Sequence, residues 1–268
     1  MTDENAIHEI DLNCDAGESF GHWPMGDDTA LIPLMTSVNI ACGAHAGDPL
    51  VMRRTLLLAK EHHVAVGAHP GYPDLLGFGR RVIPLSPDEV EAWTLAQLGA
   101  LDAMARGAGV VLRHVKPHGA LYNTAAEDDT QAAAVVKAVC AFNPDLTLVA
   151  RAGSRMVTVA REAGLRVAEE AFIDRGYDNA GRLLPRSQLT LRASSGSKPG
   201  TPRRIRGSIL PRATGSIRRI SIGLSTWKFR SGICEITSPK SKKALRSSGR
   251  LRKWPLSEIA LPRNTPSF

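Results

Sequence analysis

The chain has little cysteine, few aromatic side chains and no long apolar run. Its four cysteines, Cys14, Cys42, Cys140 and Cys234, are scattered over 268 residues with no Cys-x-x-Cys pair. Neither a disulfide framework nor a structural zinc site is therefore indicated, and a reducing cytoplasm is the expected compartment. No stretch approaches the roughly 18 to 20 consecutive apolar residues of a membrane span. The first residues are polar and acidic, without the basic-then-apolar order of a secretory signal. No Gly-x-Gly-x-x-Gly follows the first apolar run, which argues against a dinucleotide-binding fold. No Gly-x-x-x-x-Gly-Lys-Ser/Thr loop occurs either, so any ATP site would be of another type.

Acidic residues are nearly missing from the last 80 positions. Up to Gln188 there are 16 Lys/Arg against 24 Asp/Glu, whereas Leu189 to Phe268 holds 18 against 2, Glu235 and Glu258. All eight histidines lie in the first part. The formal charge of +8 is thus the sum of an acidic segment and a strongly basic one, an asymmetry that marks two different kinds of chain.

Residues 1–188 read as repeated strand-then-helix units. Short, mostly apolar runs at 7–12, 37–41, 64–68, 110–115, 146–150 and 166–172 have the character of parallel strands buried on both faces. Helices are expected between them. Asp48-Pro49 opens one that runs to about His62, and Ser86-Pro87-Asp88-Glu89 is a capping box for a second, to about Arg106. A third covers roughly 128–141 and a fourth 154–163, with Gly164 placed to end it. The alternation implies a parallel α/β architecture. Polar clusters recur just beyond successive strand ends, where a barrel keeps its chemistry, so a barrel is favoured over an open sheet.

Four such clusters carry candidate chemistry. In Asp11-Leu12-Asn13-Cys14-Asp15-Ala16-Gly17-Glu18, strand alternation sends Asp11, Asn13 and Asp15 to one side. Three oxygen-bearing side chains there could hold a divalent cation or orient water, or simply form a polar strand end. The stretch from Asn39 to Pro49 places His45 in a glycine-rich loop, available as a general base or metal ligand. Asp48 reads as the helix cap and Cys42 as a small buried residue rather than a nucleophile. His69 follows a buried strand in a Gly/Pro-rich loop that continues to Arg80 and Arg81, a pair able to hold an anion or to pair with acidic neighbours. Lys116 and His118 share a side after strand four and could stabilise an oxyanion, while His114 sits deeper as a core histidine. Strand six adds Glu169, Glu170, Asp174 and Arg175. Their recurrence at one end of successive strands is stronger than any one cluster, because folding brings them together.

The stretches IDLNCDAGESFG, VNIACGAHAGDP, VGAHPGYPDLLGFGRR, VKPHGALYN and EAFIDRGYD, in that order, resemble the LamB/YcsF family of 5-oxoprolinase A subunits. The resemblance runs from about Ile10 to Gln188. It implies a distorted (β/α) barrel related to the glycoside hydrolase/deacetylase superfamily. It also implies ATP-dependent opening of 5-oxo-L-proline to L-glutamate, with Mg-bound ATP as co-substrate and subunits B and C as partners. Asp11, Asp15, His45, His69, Lys116 and His118 are the positions carried over. Within that reading Asp15 or His45 is the general base towards water, and Lys116 and His118 stabilise negative charge. Arg80 holds the substrate carboxylate, and Asp11, Asn13, His69, Asp174 and Arg175 complete the substrate site.

A rival reading is a metal-dependent deacetylase or amidohydrolase, with Asp11, Asp15, His45 and His118 around a divalent ion. The tail from residue 189 resembles nothing in that family. With 14 serines, 7 prolines and 7 glycines and no sustained apolar period, it reads as disordered. Its strongest strand candidate is 217–224, and its Arg/Ser/Pro/Gly flavour is that of a GC-rich gene read out of frame near codon 189. The barrel is then incomplete at its C-terminal end. Weak, salt-sensitive attraction to nucleic acid follows from the tail's charge, without a recognition motif for specific binding.

Overall fold

The computed structural model describes residues 9–172, Asp178, Leu183 and residues 219–224. In chain order the elements are strand β1 (Glu9–Ala16), helix α1 (Asp28–Leu31) with a 3-10 turn (Ile32–Leu34), β2 (Ser37–Ala41), α2 (Pro49–Glu61), β3 (Ala65–His69), α3 (Pro87–Ala108), β4 (Leu112–Val115), α4 (Gly119–Ala125), α5 (Asp129–Phe142), β5 (Thr147–Arg151), α6 (Arg155–Glu162), β6 (Arg166–Phe172) and β7 (Arg219–Leu224). The strands pair in parallel in the order β1 to β7, and β7 pairs with both β6 and β1, so the sheet closes into an α/β barrel. β7 falls within 217–224, the strongest strand candidate of the basic tail. The rest of that tail, with the expected boundary at residue 188, lies outside the described residues.

The helices form where capping chemistry and apolar spacing coincide. Asp48 accepts from the backbone N–H of Leu50 and Val51, with Pro49 in the first turn of α2. Val51, Met52, Thr55, Leu56 and Ala59 then form the buried face. Ser86 and Glu89 make the expected capping box of α3, and Gly109, at φ 65°, ends that helix in the left-handed region. Fully buried Leu56, Leu98 and Leu101 lie in the continuous apolar layer between helices and strands. Truncating such a leucine to alanine costs about 2–5 kcal/mol.

On each strand the alternation separates two environments. Leu12 and Cys14 on β1, Val38 and Ile40 on β2, and Val66 and Ala68 on β3 belong to the outer apolar layer. The opposite parity is polar: Asp11, Asn13 and Asp15, then Ser37 and Asn39. At the shared level of Gly67 on β3 and His114 on β4, a register shift in the pairing accompanies a close approach. A Cβ at Gly67 would lie 2.2 Å from the His114 ring, so glycine there makes room for an imidazole inside the barrel. His114 Nε2 donates to Asn39 Oδ1 at 2.8 Å, and Asn39 Nδ2 donates to Asn13 Oδ1 at 2.7 Å. His114 is thus the deep histidine that parity predicted. A hydrogen-bonded chain of polar side chains stands where aliphatic layers fill many such barrels.

Candidate active site

Above this level the C-terminal ends of β1 to β4 and β6 meet. Asp15 ends the inward row of β1, and Gly17, at φ 66°, turns the chain so that Glu18 also points into the barrel mouth. The loop after β2 brings in His45. Gly47 (φ 80°) is required there, since a Cβ would sit 2.7 Å from the Ala41 carbonyl oxygen. His69 ends β3, and Lys116 and His118 follow β4. Glu18, His45, His69, Lys116, His118 and Glu170 of β6 are all buried.

Lys116 is the hub. Its Nζ lies 2.7 Å from Glu170 Oε1, 3.2 Å from Asp15 Oδ1 and 3.1 Å from Asn13 Oδ1. An ammonium has three N–H donors, and here each has an acceptor. Glu170 is held in turn by Asn13 Nδ2 at 3.0 Å and Tyr122 OH at 2.9 Å. Burial alone would lower the Lys116 pKa, but Asp15 and Glu170 outweigh it and raise the value above that of an ordinary lysine. Burial likewise pushes Asp15 up, yet His69 and Lys116 prevail and hold its carboxyl well below the usual carboxylate range. The site therefore favours the charged forms of an ammonium and a carboxylate 3.2 Å apart.

The histidines behave differently. Burial, helped by neighbouring His118 and His69, holds His45 well below an ordinary histidine, and burial with His69 brings His118 down to about 3. Burial also brings His114 to about 4 and raises the Cys42 thiol to about 12, which makes Cys42 a packing residue rather than a nucleophile. Glu18 is raised well above the usual carboxylate range by burial and then by Asp15. The His69 Nδ1 contacts the Lys116 carbonyl oxygen at 2.6 Å, and His118 Nε2 contacts the Phe78 carbonyl oxygen at 2.8 Å. Phe78 (φ 55°) is positioned by the loop after β3, in which Asp74 accepts from Gly77 N and binds the Arg81 guanidinium. Gln97 of α3 holds the start of the same loop through both the N–H and C=O of Gly71, each at 2.9 Å.

The residues singled out from sequence divide into groups. Asp15, His45, His69, Lys116 and His118 converge, and Asn13 lies directly beneath them. Asp11 sits lower on β1, where it accepts from Thr36 and Ser37 hydroxyls at 2.6 and 2.9 Å, away from the histidine cluster. Arg80 and Arg81 separate: Arg81 binds Asp74, while Arg80 stacks its guanidinium 4.9 Å from the Phe78 ring centre at the mouth. Glu169 turns outward to Arg161, whereas its neighbour Glu170 enters the site. Asp174 and Arg175 lie outside the described residues. Glu18 and the Phe78 carbonyl had no role in the sequence reading. Glu18 lies past the strand, where parity no longer applies, and only Gly17 before it hints at the turn.

Glu18, His45, His69 and His118 each offer one ligand atom, and these atoms lie within 4.8 Å of one another. Such a buried His/Glu cluster is able to bind a metal ion. Among the described residues no helix is long and apolar enough to cross a membrane.

Residues 10–194 match the sequence model of the LamB/YcsF family. A relative from Chloroflexus aggregans, named as the A subunit of 5-oxoprolinase, is 60% identical over 177 residues, which cover 66% of this chain and 70% of that protein. Another so named, from Pyrococcus furiosus, is 53% identical over 180 residues, covering 67% and 71%. The solved structure of a lactam utilization protein from Thermus thermophilus superposes with a TM-score of 0.65 at 52% identity, covering 67% of this chain and 73% of that one.

Proposed function

Since the chain belongs to the LamB/YcsF family, we propose that it acts as the A subunit of a 5-oxoprolinase, opening 5-oxo-L-proline to L-glutamate at the expense of ATP. The observation that carries this reading is the buried, oppositely charged Asp15–Lys116–Glu170 group beneath a histidine-lined mouth, in a chain whose relatives carry that name. A lactam is a poor electrophile, so its oxygen must be activated, which phosphoryl transfer from Mg-bound ATP can do. ADP leaves in that transfer. Water then adds to the ring carbonyl carbon, and the C–N bond breaks with the departing nitrogen taking a proton. A second water hydrolyses the resulting γ-glutamyl phosphate to L-glutamate and inorganic phosphate.

In this scheme Asp15 orients the attacking water and accepts its proton as the new C–O bond forms. Its depressed pKa makes it a weak base but favours the ionised form that can accept a proton. Lys116 is a positioning residue, because all three of its donors are engaged and an oxyanion would have to displace one. Its ammonium keeps Asp15 ionised and fixes Glu170. Arg80, at the mouth, fits the substrate carboxylate. Subunits B and C complete the assembly and share the handling of ATP, and the cytoplasm is the compartment where this chemistry is expected.

A second reading, a metal-dependent deacetylase or amidohydrolase, is favoured by the Glu18/His45/His69/His118 cluster. One experiment separates the two. The full chain, combined with subunits B and C of a relative, is assayed for glutamate formation from 5-oxo-L-proline with and without ATP. ATP-dependent glutamate supports ring opening as stated. No glutamate in the complete mixture, or amide hydrolysis by the chain alone that ignores ATP, overturns it.

A further inference from the structure

We propose that Glu18, His45, His69 and His118 hold one divalent first-row transition metal ion, with Zn²⁺ the best match. Two hydrogen bonds to backbone carbonyls set the tautomers. A carbonyl oxygen only accepts, so His69 Nδ1 must carry hydrogen towards Lys116 O, and His118 Nε2 must carry hydrogen towards Phe78 O. Each ring, when neutral, is thereby fixed in the tautomer that turns a lone pair inward, as metal-bound histidines are fixed by backbone carbonyls. Those lone pairs, on His69 Nε2 and His118 Nδ1, face each other at 3.0 Å.

Two facing lone pairs repel unless a cation lies between them. In the metal-free site one proton on His69 Nε2 could bridge the pair, supported by Asp15 Oδ1 at 3.4 Å, but it would leave the rest of the pocket unanswered. Glu18 Oε1 and both ring nitrogens of His45 are buried without a hydrogen-bond partner, each at the energetic cost of an unsatisfied buried polar atom. Glu18 Oε1 lies 3.5 Å from His118 Nδ1 and 3.9 Å from His45 Nε2. Ligands at about 2.0–2.1 Å around a tetrahedral zinc ion are separated from one another by about 3.3–3.4 Å. These three separations bracket that value and all four ligand atoms lie within 4.8 Å of one another, so one ion is within reach of the four side chains once they draw inward.

The donor set selects the metal. Three imidazoles and one carboxylate suit Zn²⁺ or a neighbouring transition ion, whereas Mg²⁺ and Ca²⁺ prefer oxygen throughout. One adjustment is required. The His45 and His118 rings stack in parallel, 3.8 Å apart at 5°, and parallel planes cannot both aim at one point. His45, whose nitrogens have no hydrogen bond to break, is the ring that turns. A metal in this position would supply a Lewis acid for a substrate carbonyl oxygen beside Asp15. The ligand set differs from one centred on Asp11, which binds Thr36 and Ser37 instead.

Metal binding here follows from geometry and not from the substrate, so its test requires no turnover and its failure would leave ring opening to be judged separately. The full chain, produced in zinc-supplemented medium, is analysed for bound metals. The expected content is about one equivalent per chain, lost in His69→Ala and His118→Ala and kept in the surface control His22→Ala. Because a ligand variant can fail to fold, wild-type protein stripped with chelator is also titrated with Zn²⁺, Mg²⁺ and Co²⁺. Zn²⁺ should raise the thermal midpoint and Mg²⁺ should not, and Co²⁺ should give the intense visible bands of a low-coordinate site. Metal-free wild-type protein that shows neither a Zn²⁺-dependent rise nor a Co²⁺ spectrum overturns the proposal. So does metal content unchanged in both ligand variants.

Discussion

Lys116 Nζ and Glu170 Oε1 meet at 2.7 Å, and both side chains are shut away from solvent. The pair spans the barrel from β4 to β6 and carries Asp15 and Asn13 with it. Lys116→Met would leave two buried carboxylates facing each other without a cation. Loss of one partner from a buried ion pair costs about 3–5 kcal/mol, so urea denaturation should show a fall of that order. Adding Glu170→Gln should recover part of it. A loss as small as that of an exposed ion pair would mean that the group is not buried as described.

Gly67 and His114 form a second buried relationship. A Cβ at position 67 would collide with the imidazole at 2.2 Å. Gly67→Ala should therefore cost about 1–3 kcal/mol, read from thermal or chemical denaturation. The His114→Ala background removes the obstacle, so the second substitution should be much less damaging there. Equal costs in the two backgrounds would contradict the packing.

The loop over the mouth depends on Asp74, whose carboxyl is held below its usual range by the hydrogen bond from Arg81 and by Gly77 N–H. A carboxylate with a depressed folded-state pKa stabilises above its unfolded value, about 3.9, and that stability disappears as pH falls through the lower folded value. The gap in thermal midpoint between wild type and Asp74→Asn should be constant at neutral pH and close below the ordinary carboxylate range. A gap that widens in acid would reverse the sign and refute the pairing. The Arg81 side chain is largely exposed, so salt should narrow the gap as well.

Much of this site was legible in the sequence because strand parity and loop position are local properties. Ser37–Ala41 and Arg166–Phe172 form the strands read from their apolar runs, and the capping signals at Asp48 and Ser86 locate α2 and α3. His45, His69, Lys116 and His118 follow strand ends, so closing the sheet is enough to bring them together. What escaped depends on tertiary geometry. Glu18 enters through a left-handed turn at Gly17, and Glu170 rather than Glu169 faces inward, which two adjacent glutamates do not reveal. Asp11 shares the parity of Asp15 but lies two pairs lower, among hydroxyls. The short helices α1 and α4 carry too few turns for apolar periodicity to show them.

The proposed ring opening turns most directly on Asp15. In the complete mixture of chain, partner subunits, ATP and 5-oxo-L-proline, Asp15→Asn keeps the shape of the side chain and removes its charge. Removal of a positioned base lowers rates by about 10²–10⁴-fold, so glutamate formation should fall by at least the lower figure while the protein stays folded. A folded Asp15→Asn protein that forms glutamate at close to the wild-type rate would contradict that role.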